Sequence, residues 1–316
     1  MIQVIADSLA LGSVYVLFSL GLSLSWSVLG LLNLAHGAQF MLGAYFAFLV
    51  GEHFHVSLLI VLPLVVVAVA LTSVIADLLV YRRLRIRAGT PAESELAMLV
   101  ASIGLAAVAE TIVQNATSGN SEFIPSSVYS VRTLSIGGSV LHITNIQVLM
   151  TIVTIALTIA FAAVVKWTRF GRAMRAAAVD PATCELLGVN ANRLFSVTMA
   201  ISGGMAGLAG VLLGIDLSNV SFQMGDPLIT KAFAVIVIGG VGSIAGAAIG
   251  GYVLALAETL VVIFGPASYQ DAISFALIII VLLVRPTGLF AQRRWQRSLW
   301  DTSRRTRSCS SRRWCT

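Results

Sequence analysis

Charge is scarce in this chain. Lysine occurs only twice in 316 residues, and Asp, Glu, Lys and Arg together make up 11%, under half of the ~25% usual in a soluble globular domain. With 58% hydrophobic residues and a mean hydropathy of +0.93, that shortage excludes a soluble fold and leaves a polytopic membrane protein. Neither Lys166 nor Lys231 stands in a GxxxxGK[ST] phosphate loop, so the chain cannot be the ATPase of a pump. GxSxG, HExxH and paired-cysteine motifs are also missing, so no catalytic site can be argued and the chain reads as no enzyme. The three cysteines, Cys184, Cys309 and Cys315, lack metal-ligand spacing, and no cofactor is expected. No Lys or Arg precedes the first apolar run, which carries Asp7 instead; it reads as a retained first span rather than a cleavable signal peptide.

What is present is apolar and long. Crossing about 30 Å of hydrocarbon takes roughly 20 residues of helix. Candidate runs lie near Val4 to Leu31, Phe40 to Val50, Val56 to Val80, Leu96 to Ala116, Gln147 to Val165, Leu194 to Leu217, Ala232 to Ile263 and Ala272 to Val284. The second is short and the seventh is long and glycine-rich. The expected fold is all-α, a helical bundle of about 8–10 transmembrane segments with two glycine- or polar-broken segments.

The net charge of +6 would suit a nucleic-acid partner if the cations were spread over one face, but their placement excludes that. Of the 20 Lys and Arg, four fall in Arg82 to Arg87, five in Lys166 to Arg193 and nine in Arg285 to Arg313. Clustering between apolar runs is the positive-inside pattern and puts all three segments in the cytoplasm. The loops Gly51 to His55 and Thr117 to Asn145 are then external. An even number of crossings must separate Arg193 from Arg285, so Ala232 to Ile263 crosses twice or folds back. The chain divides into a membrane domain, 1–290, and a basic tail, 291–316, rich in Ser and Arg and expected to be disordered and to lie along anionic lipid.

Two polar segments stand out. In the external loop 117–145, VRTLSI and SVLHIT flank Gly137 and Gly138, predicting a small hairpin with a two-residue turn. In the cytoplasmic loop 166–193 (KWTRFGRAMRAAAVDPATCELLGVNANR), Asp180 reads as an N-cap, Pro181 as the first helical residue and Gly188 as the residue just past the helix end. A helix from Pro181 to Leu187, roughly 10 Å long by its rise per residue, is too short to stand alone in water. It needs something to dock against.

Inside the spans, small residues recur at four-residue spacing: Gly203 and Gly207, Gly210 and Gly214, then Gly242, Gly246 and Gly250. They either pack helices backbone to backbone or open a ligand path. The run GGVGSIAGAAIGG from Gly239 to Gly251, with Gly240, Gly242 and Ser243, is a candidate helix break, tolerated at membrane depth only against protein or water. LLNLAHGAQF, Leu31 to Phe40, is a second; Asn33, His36, Gly37 and Gln39 lie there between apolar runs. His36 either titrates or donates to a solute carboxylate, or is a neutral histidine capping a broken helix end. Among the acidic residues Asp77, Glu110, Asp216 and Glu258, Asp77 marks the interface beside Arg82. Glu258 is the best candidate for an intramembrane carboxylate, functional or paired with a neighbouring helix. Two interrupted helices point to a solute path.

In order, the stretches GLSLSWSVLGLLNLAHGAQFMLGAY, GRAMRAAAVDPATCELLGVN, ISGGMAGLAGVL, KAFAVIVIGGVGSIAGAAIGG with LALAE, and LLVRPTGLF resemble the LivH-type permease of bacterial branched-chain amino acid ABC transporters. The resemblance runs from Gly21 to Phe290. It implies an inner-membrane permease subunit, multi-pass, that forms half of a translocation path. It implies partners as well: a second, LivM-like permease, two ABC ATPase subunits that hydrolyse the ATP, and a periplasmic substrate-binding protein. The capped segment then corresponds to the coupling loop that docks on an ATPase, through Arg172, Arg175, Asp180, Pro181, Glu185 and Gly188. Here Ala177, Ala178 and Val179 stand where a glutamate is often found, which shifts the expected contact toward Arg172, Arg175 and Glu185. The expected solute path is lined by Asn33, His36, Gly37, Gly239, Gly240, Gly242, Ser243 and Glu258. Relatives of this type serve other solutes too, such as urea, amides or aromatic acids. A different class of reading is an autonomous proton-coupled transporter using Glu258 or His36, with no need of a docking loop.

Overall fold

A computed structural model describes residues 2–30, 32–54, 57–125, 129, 133–136, 141–178, 184, 188–265, 269–285 and 288. Its helices are α1 (Ile2–Leu29), α2 (Ala35–Phe54), α3 (Leu58–Ala76), α4 (Arg82–Arg87), α5 (Pro91–Ala116), α6 (Asn145–Trp167), α7 (Arg169–Ala177), α8 (Ala191–Asp216), α9 (Asp226–Gly239), α10 (Ile244–Phe264) and α11 (Gln270–Val284). A single π turn, Asp77–Tyr81, joins α3 to α4 without a break in direction. Six of these stretches are long and apolar enough to cross a membrane: α1, α3 with α4, α5, α6, α8 and α10; α11 is a shorter apolar helix. The chain is a multi-pass, all-helical membrane protein.

Helix starts follow local capping chemistry. Thr90 with Glu93 and Thr144 with Gln147 form reciprocal capping boxes at α5 and α6, and Pro91 occupies the first turn where its missing N–H costs nothing. Side chains of Thr168, Asn190 and Ser243 accept from the third backbone N–H of α7, α8 and α10. In α1 two buried serines spend their hydroxyls on the preceding turn, Ser8 to Val4 O at 2.6 Å and Ser13 to Leu9 O at 2.7 Å.

Contacts fix which ends lie together. At one end Gln147 donates to Asp7 at 3.3 Å, and Glu122 and Val220 exchange backbone hydrogen bonds at 2.9 and 2.8 Å. At the other, Leu24, Val28, Met174, Cys184, Ala191, Leu194 and Phe195 pack into one cluster. The Arg85 guanidinium lies 4.7 Å over the Phe195 ring, and Gly242 N–H reaches Ser23 Oγ at 3.1 Å. Arg82 to Arg87, Lys166 to Arg175, Arg193 and Arg285 therefore share one end, the arrangement that the positive-inside rule demands.

Followed between these ends, the described helices alternate in direction: α1, α2, α3 with α4, α5, α6, α8, α9, α10 and α11. The region Ala232 to Ile263 folds back on itself: α9, 14 residues long, begins within the bundle, and α10 is long enough to cross. α1 and α8 are the buried centre: α1 packs against α6, α8, α9 and α10, and α8 against α1, α2 and α3. α3, α5 and α11 turn apolar side chains such as Leu71, Val100, Ile112 and Leu283 outward, as lipid requires.

The glycine stripes of α8 pack helices. A Cβ on Gly43 would run into the Gly207 backbone, one on Gly210 into the Phe40 carbonyl, and one on Gly203 into Ser73. Between α9 and α10 the same holds for Gly239 against Gly246. Gly242 does not share a face with Gly246 and Gly250, because it lies in the turn before α10 at φ +76°.

The external hairpin is present as β1 (Thr133–Ile136) antiparallel to β2 (Leu141–Thr144). Its last pair is Ile136 with Leu141, so four residues, not two, separate the strands; Gly137 and Gly138 lie outside the described residues, as does the tail 291–316.

Candidate translocation and coupling sites

The stretch between α1 and α2 leaves the helical path at Gly30, φ +75°, and resumes it at Ala35. The break is thus narrower than Leu31 to Phe40: His36 and Gln39 already belong to the first turns of α2. Three backbone donors at the start of α2 are nonetheless taken. Leu34 N–H donates to Ser102 Oγ at 3.2 Å, Ala35 N–H to Asn33 Oδ1 at 3.1 Å and His36 N–H to Asn33 O at 3.2 Å. Asn33, fully buried, also receives the Tyr81 hydroxyl at 2.9 Å on the same Oδ1.

His36 is completely enclosed. Its Nε2 meets the Phe18 carbonyl at 3.0 Å, and its ring lies 4.6 Å from that of Phe18. A carbonyl can only accept, so Nε2 carries a proton. Nδ1 faces Gln39 at 3.2 Å and Ser202 Oγ at 3.4 Å, while the Ser202 hydroxyl donates to Gly21 O at 2.8 Å. In the neutral ring, Nδ1 accepts, and the Gln39 amide turned to present its N–H is the donor left to it. His36 thereby ties α2 to α1 and α8. Beside it, Gly37 meets Gly225 backbone to backbone and touches Ile229, so α9 begins against the first turn of α2.

Glu258 forms a second buried cluster. Its Oε2 accepts from Tyr15 Oη at 2.6 Å, Lys231 Nζ at 3.1 Å and Gln270 Nε2 at 3.0 Å, and its Oε1 from Ser274 Oγ at 2.6 Å. Lys231, itself buried, also reaches Asp271 at 3.5 Å. The carboxylate thus joins α10 to α1, α9 and α11 with donors on both oxygens. The sequence reading passed over Lys231 and Tyr15, although a lone lysine in an apolar run demands a carboxylate partner.

Gly239, Gly240, Gly242 and Ser243 lie apart from both clusters, at the cation-rich end. Gly240 at φ +91° and Gly242 at φ +76° make the α9–α10 turn, conformations that side chains resist, and Ser243 caps α10. Asp77 is fully buried as well as paired with the arginine cluster, held by Arg85 Nη2 at 2.8 Å and Ser196 Oγ at 2.5 Å.

In the segment 166–193, α7 buries Gly171, Met174 and Ala177 and exposes Arg172 and Arg175, with Arg175 donating to the Val165 carbonyl. Gly188 adopts φ +83° and Val189 N–H donates to Cys184 O at 3.0 Å, the six-residue closure of a helix C-terminus. Asp180, Pro181 and Glu185 lie outside the described residues. Cys184 is buried against the end of α1, in the cluster with Leu24 and Val28.

Comparison with known proteins agrees with this arrangement. Residues 4–282 match the family described as the branched-chain amino acid transport system permease component. The chain is 32% identical over 302 residues to the high-affinity branched-chain amino acid transport system permease protein LivH of Escherichia coli, covering 92% of this chain and 96% of that one. It is 31% identical over 303 residues to BraD of Pseudomonas aeruginosa, a permease protein of the same description, with the same coverage. A shorter match, 32% over 139 residues, or 42% of this chain and 40% of the relative, links it to the autoinducer 2 import system permease protein LsrC of Klebsiella pneumoniae. No solved structure matches. With nearly the whole membrane domain covered, the chain belongs to the branched-chain amino acid transport permease family.

Proposed function

We propose that this chain is the translocation subunit of an ATP-driven importer for branched-chain amino acids in a bacterial inner membrane. The observation that carries the reading is the position of α1. Its cytoplasmic end packs against Met174 and Cys184 of the loop 166–193, and its middle holds His36 through Phe18. Motion delivered to the loop therefore reaches the helix against which the α1–α2 break and the start of α9 are assembled. The full machine would hold a second, LivM-like permease, two ABC ATPases supplying the hydrolysis, and a periplasmic binding protein that presents the solute; the tail 291–316 would lie on the cytoplasmic lipid surface. Nothing in the cation pattern suits nucleic acid.

Within this reading, residues 1–290 are the permease domain, 117–145 its external loop and 166–193 the coupling loop. Arg172 and Arg175 are the exposed docking cations, and Asp180, Pro181, Glu185 and Gly188 complete the proposed contact. Asn33, His36 and Gly37 border the solute path; Gly239, Gly240, Gly242 and Ser243 form its cytoplasmic turn. Glu258 holds the surrounding helices. Its donors on both oxygens give the proton-coupled alternative no free carboxylate. The test is Arg175→Glu in the co-expressed complex. The ATPases should fail to co-purify while membrane insertion is unchanged; normal co-purification would count against the coupling assignment.

A second solute class has one observation behind it. The partial match to an autoinducer 2 permease indicates that half of this framework serves a chemically different cargo elsewhere. Uptake assays of leucine, isoleucine and valine, alone and in competition with other small polar solutes, separate the readings.

A further inference from the structure

The π turn Asp77–Tyr81 stands in the middle of an otherwise continuous helix of 30 residues, Leu58–Arg87. A π turn inserted in an α-helix often marks a functional position. Val61, Val65, Val69, Ser73, Asp77 and Tyr81 recur at every fourth residue and are all buried. On an α-helix of about 3.6 residues per turn such a stripe drifts steadily around the axis. The wider turn takes up that drift at Asp77–Tyr81 and keeps both side chains aimed into the bundle.

Both ends of the turn are clamped, and to different parts of the molecule. Asp77 is held by Arg85 Nη2 at 2.8 Å and Ser196 Oγ at 2.5 Å, at the arginine-rich cytoplasmic end. Tyr81 Oη donates at 2.9 Å to Asn33 Oδ1, the same oxygen that takes the Ala35 N–H at the start of α2. Asn33 Nδ2 faces Met199 Sδ at 4.0 Å. Apart from this contact and the Leu34 bond to Ser102, the described polar contacts of the α1–α2 break with other helices run through Tyr81.

We propose that this π turn is a second mechanical link between the cytoplasmic end and the α1–α2 break, in which Tyr81 is a positioning residue that sets the start of α2 through Asn33. Loss of the Asp77 clamp would let the turn rewind toward α geometry, rotate Tyr81 off Asn33, and release the first turn of α2 with His36. The link runs through α3 and α4 rather than through the end of α1, and rests on the permease reading above.

The test uses the complete complex with its ATPases and binding protein in proteoliposomes, and reads labelled leucine uptake and ATP hydrolysis together. Tyr81→Phe keeps the ring and removes only the donor. It should lower leucine moved per ATP hydrolysed at least threefold, with ATP hydrolysis and melting temperature close to the parent's. Ser196→Ala, which takes one donor from Asp77, should shift the ratio the same way. Tyr252→Phe, whose hydroxyl lies 3.3 Å from Ser13 Oγ on another face of α1, should not. An unchanged ratio in both Tyr81→Phe and Ser196→Ala, or a parallel fall of uptake and hydrolysis, overturns the inference. Failure of the unaltered complex to move leucine overturns instead the reading of its cargo.

Discussion

Two buried polar clusters face α1 at successive levels, and they are built on opposite principles. Around Glu258 an ion pair with Lys231 is the centre, and four donors, three of them neutral, converge on one carboxylate from α1, α9 and α11. Around His36 and Asn33 they are hydroxyls, amides, an imidazole and the backbone of a helix end. A charge taken into hydrocarbon is tolerable only when fully paired, so the first cluster has no spare valence and behaves as a fastener. The second holds helix termini and non-helical backbone by single neutral hydrogen bonds, each worth little. That makes it the part of the bundle that can rearrange without a large penalty.

The comparison breaks most easily at the ion pair. Glu258→Ala leaves Lys231 buried without its main partner, at a cost of about 3–5 kcal/mol. It should abolish recovery of monodisperse protein in size-exclusion chromatography. Replacing both partners by apolar residues, Lys231→Met with Glu258→Leu, should restore much of the folded yield, since no charge is then stranded. Equal loss in the single and double variants would show that Glu258 does more than fasten.

A matched pair of hydroxyl deletions sharpens the contrast. Ser274→Ala takes the donor described for Glu258 Oε1, a charge-assisted bond worth about 1.5–3 kcal/mol. Ser202→Ala removes a neutral bond to the Gly21 carbonyl, about 0.6 kcal/mol for such bonds inside a membrane bundle. Unfolding in mixed micelles should rank Ser274→Ala well below Ser202→Ala in stability. In uptake assays the order should invert, with Ser202→Ala slowing transport more than its stability loss explains. Identical stability losses would remove the distinction between the clusters.

The difference between the clusters also bears on what the sequence could disclose. Spans were legible because hydropathy over about 20 residues is a local quantity, and the helix ends that lie together because arginines cluster beside them. One helix end was legible for the same reason: Gly188 sits at φ +83° where the glycine put it. What failed was depth and pairing. The glycine run Gly239–Gly251 looked like one broken segment, yet its break is confined to the turn at Gly240 and Gly242, and the remaining glycines serve helix contact at Gly246 and Gly251. The chain instead starts a helix inside the bundle at Gly225, where no glycine cluster announces it. Glu258 and Lys231 are 27 residues apart, and Tyr15 is 243 residues from Glu258. Such pairings depend on tertiary packing that no local pattern encodes. The burial of Asp77 was hidden for a related reason: its nearness to the arginines is local, and it does pair with Arg85, but its bond to Ser196 of α8 depends on tertiary packing.

The smallest effect tests whether the fastener and the movable cluster can both be left intact while coupling fails. Gly188→Ala forces a Cβ into the left-handed region at φ +83°, a strain of roughly 1–2 kcal/mol, but a Cβ there meets nothing within 4 Å. The cost is therefore conformational, and it falls on the loop that buries Cys184 against the end of α1. Thermal unfolding of the membrane domain should move by no more than a few degrees, and the loop should lose order first, read as faster labelling of Cys184 by a thiol reagent. Uptake should fall with ATPase binding, and raising the ATPase concentration should recover it. If extra ATPase does not recover uptake, the loop's effect passes into the bundle through Cys184 and α1 rather than through docking alone, and the neutral cluster at His36 is where that strain would be taken up.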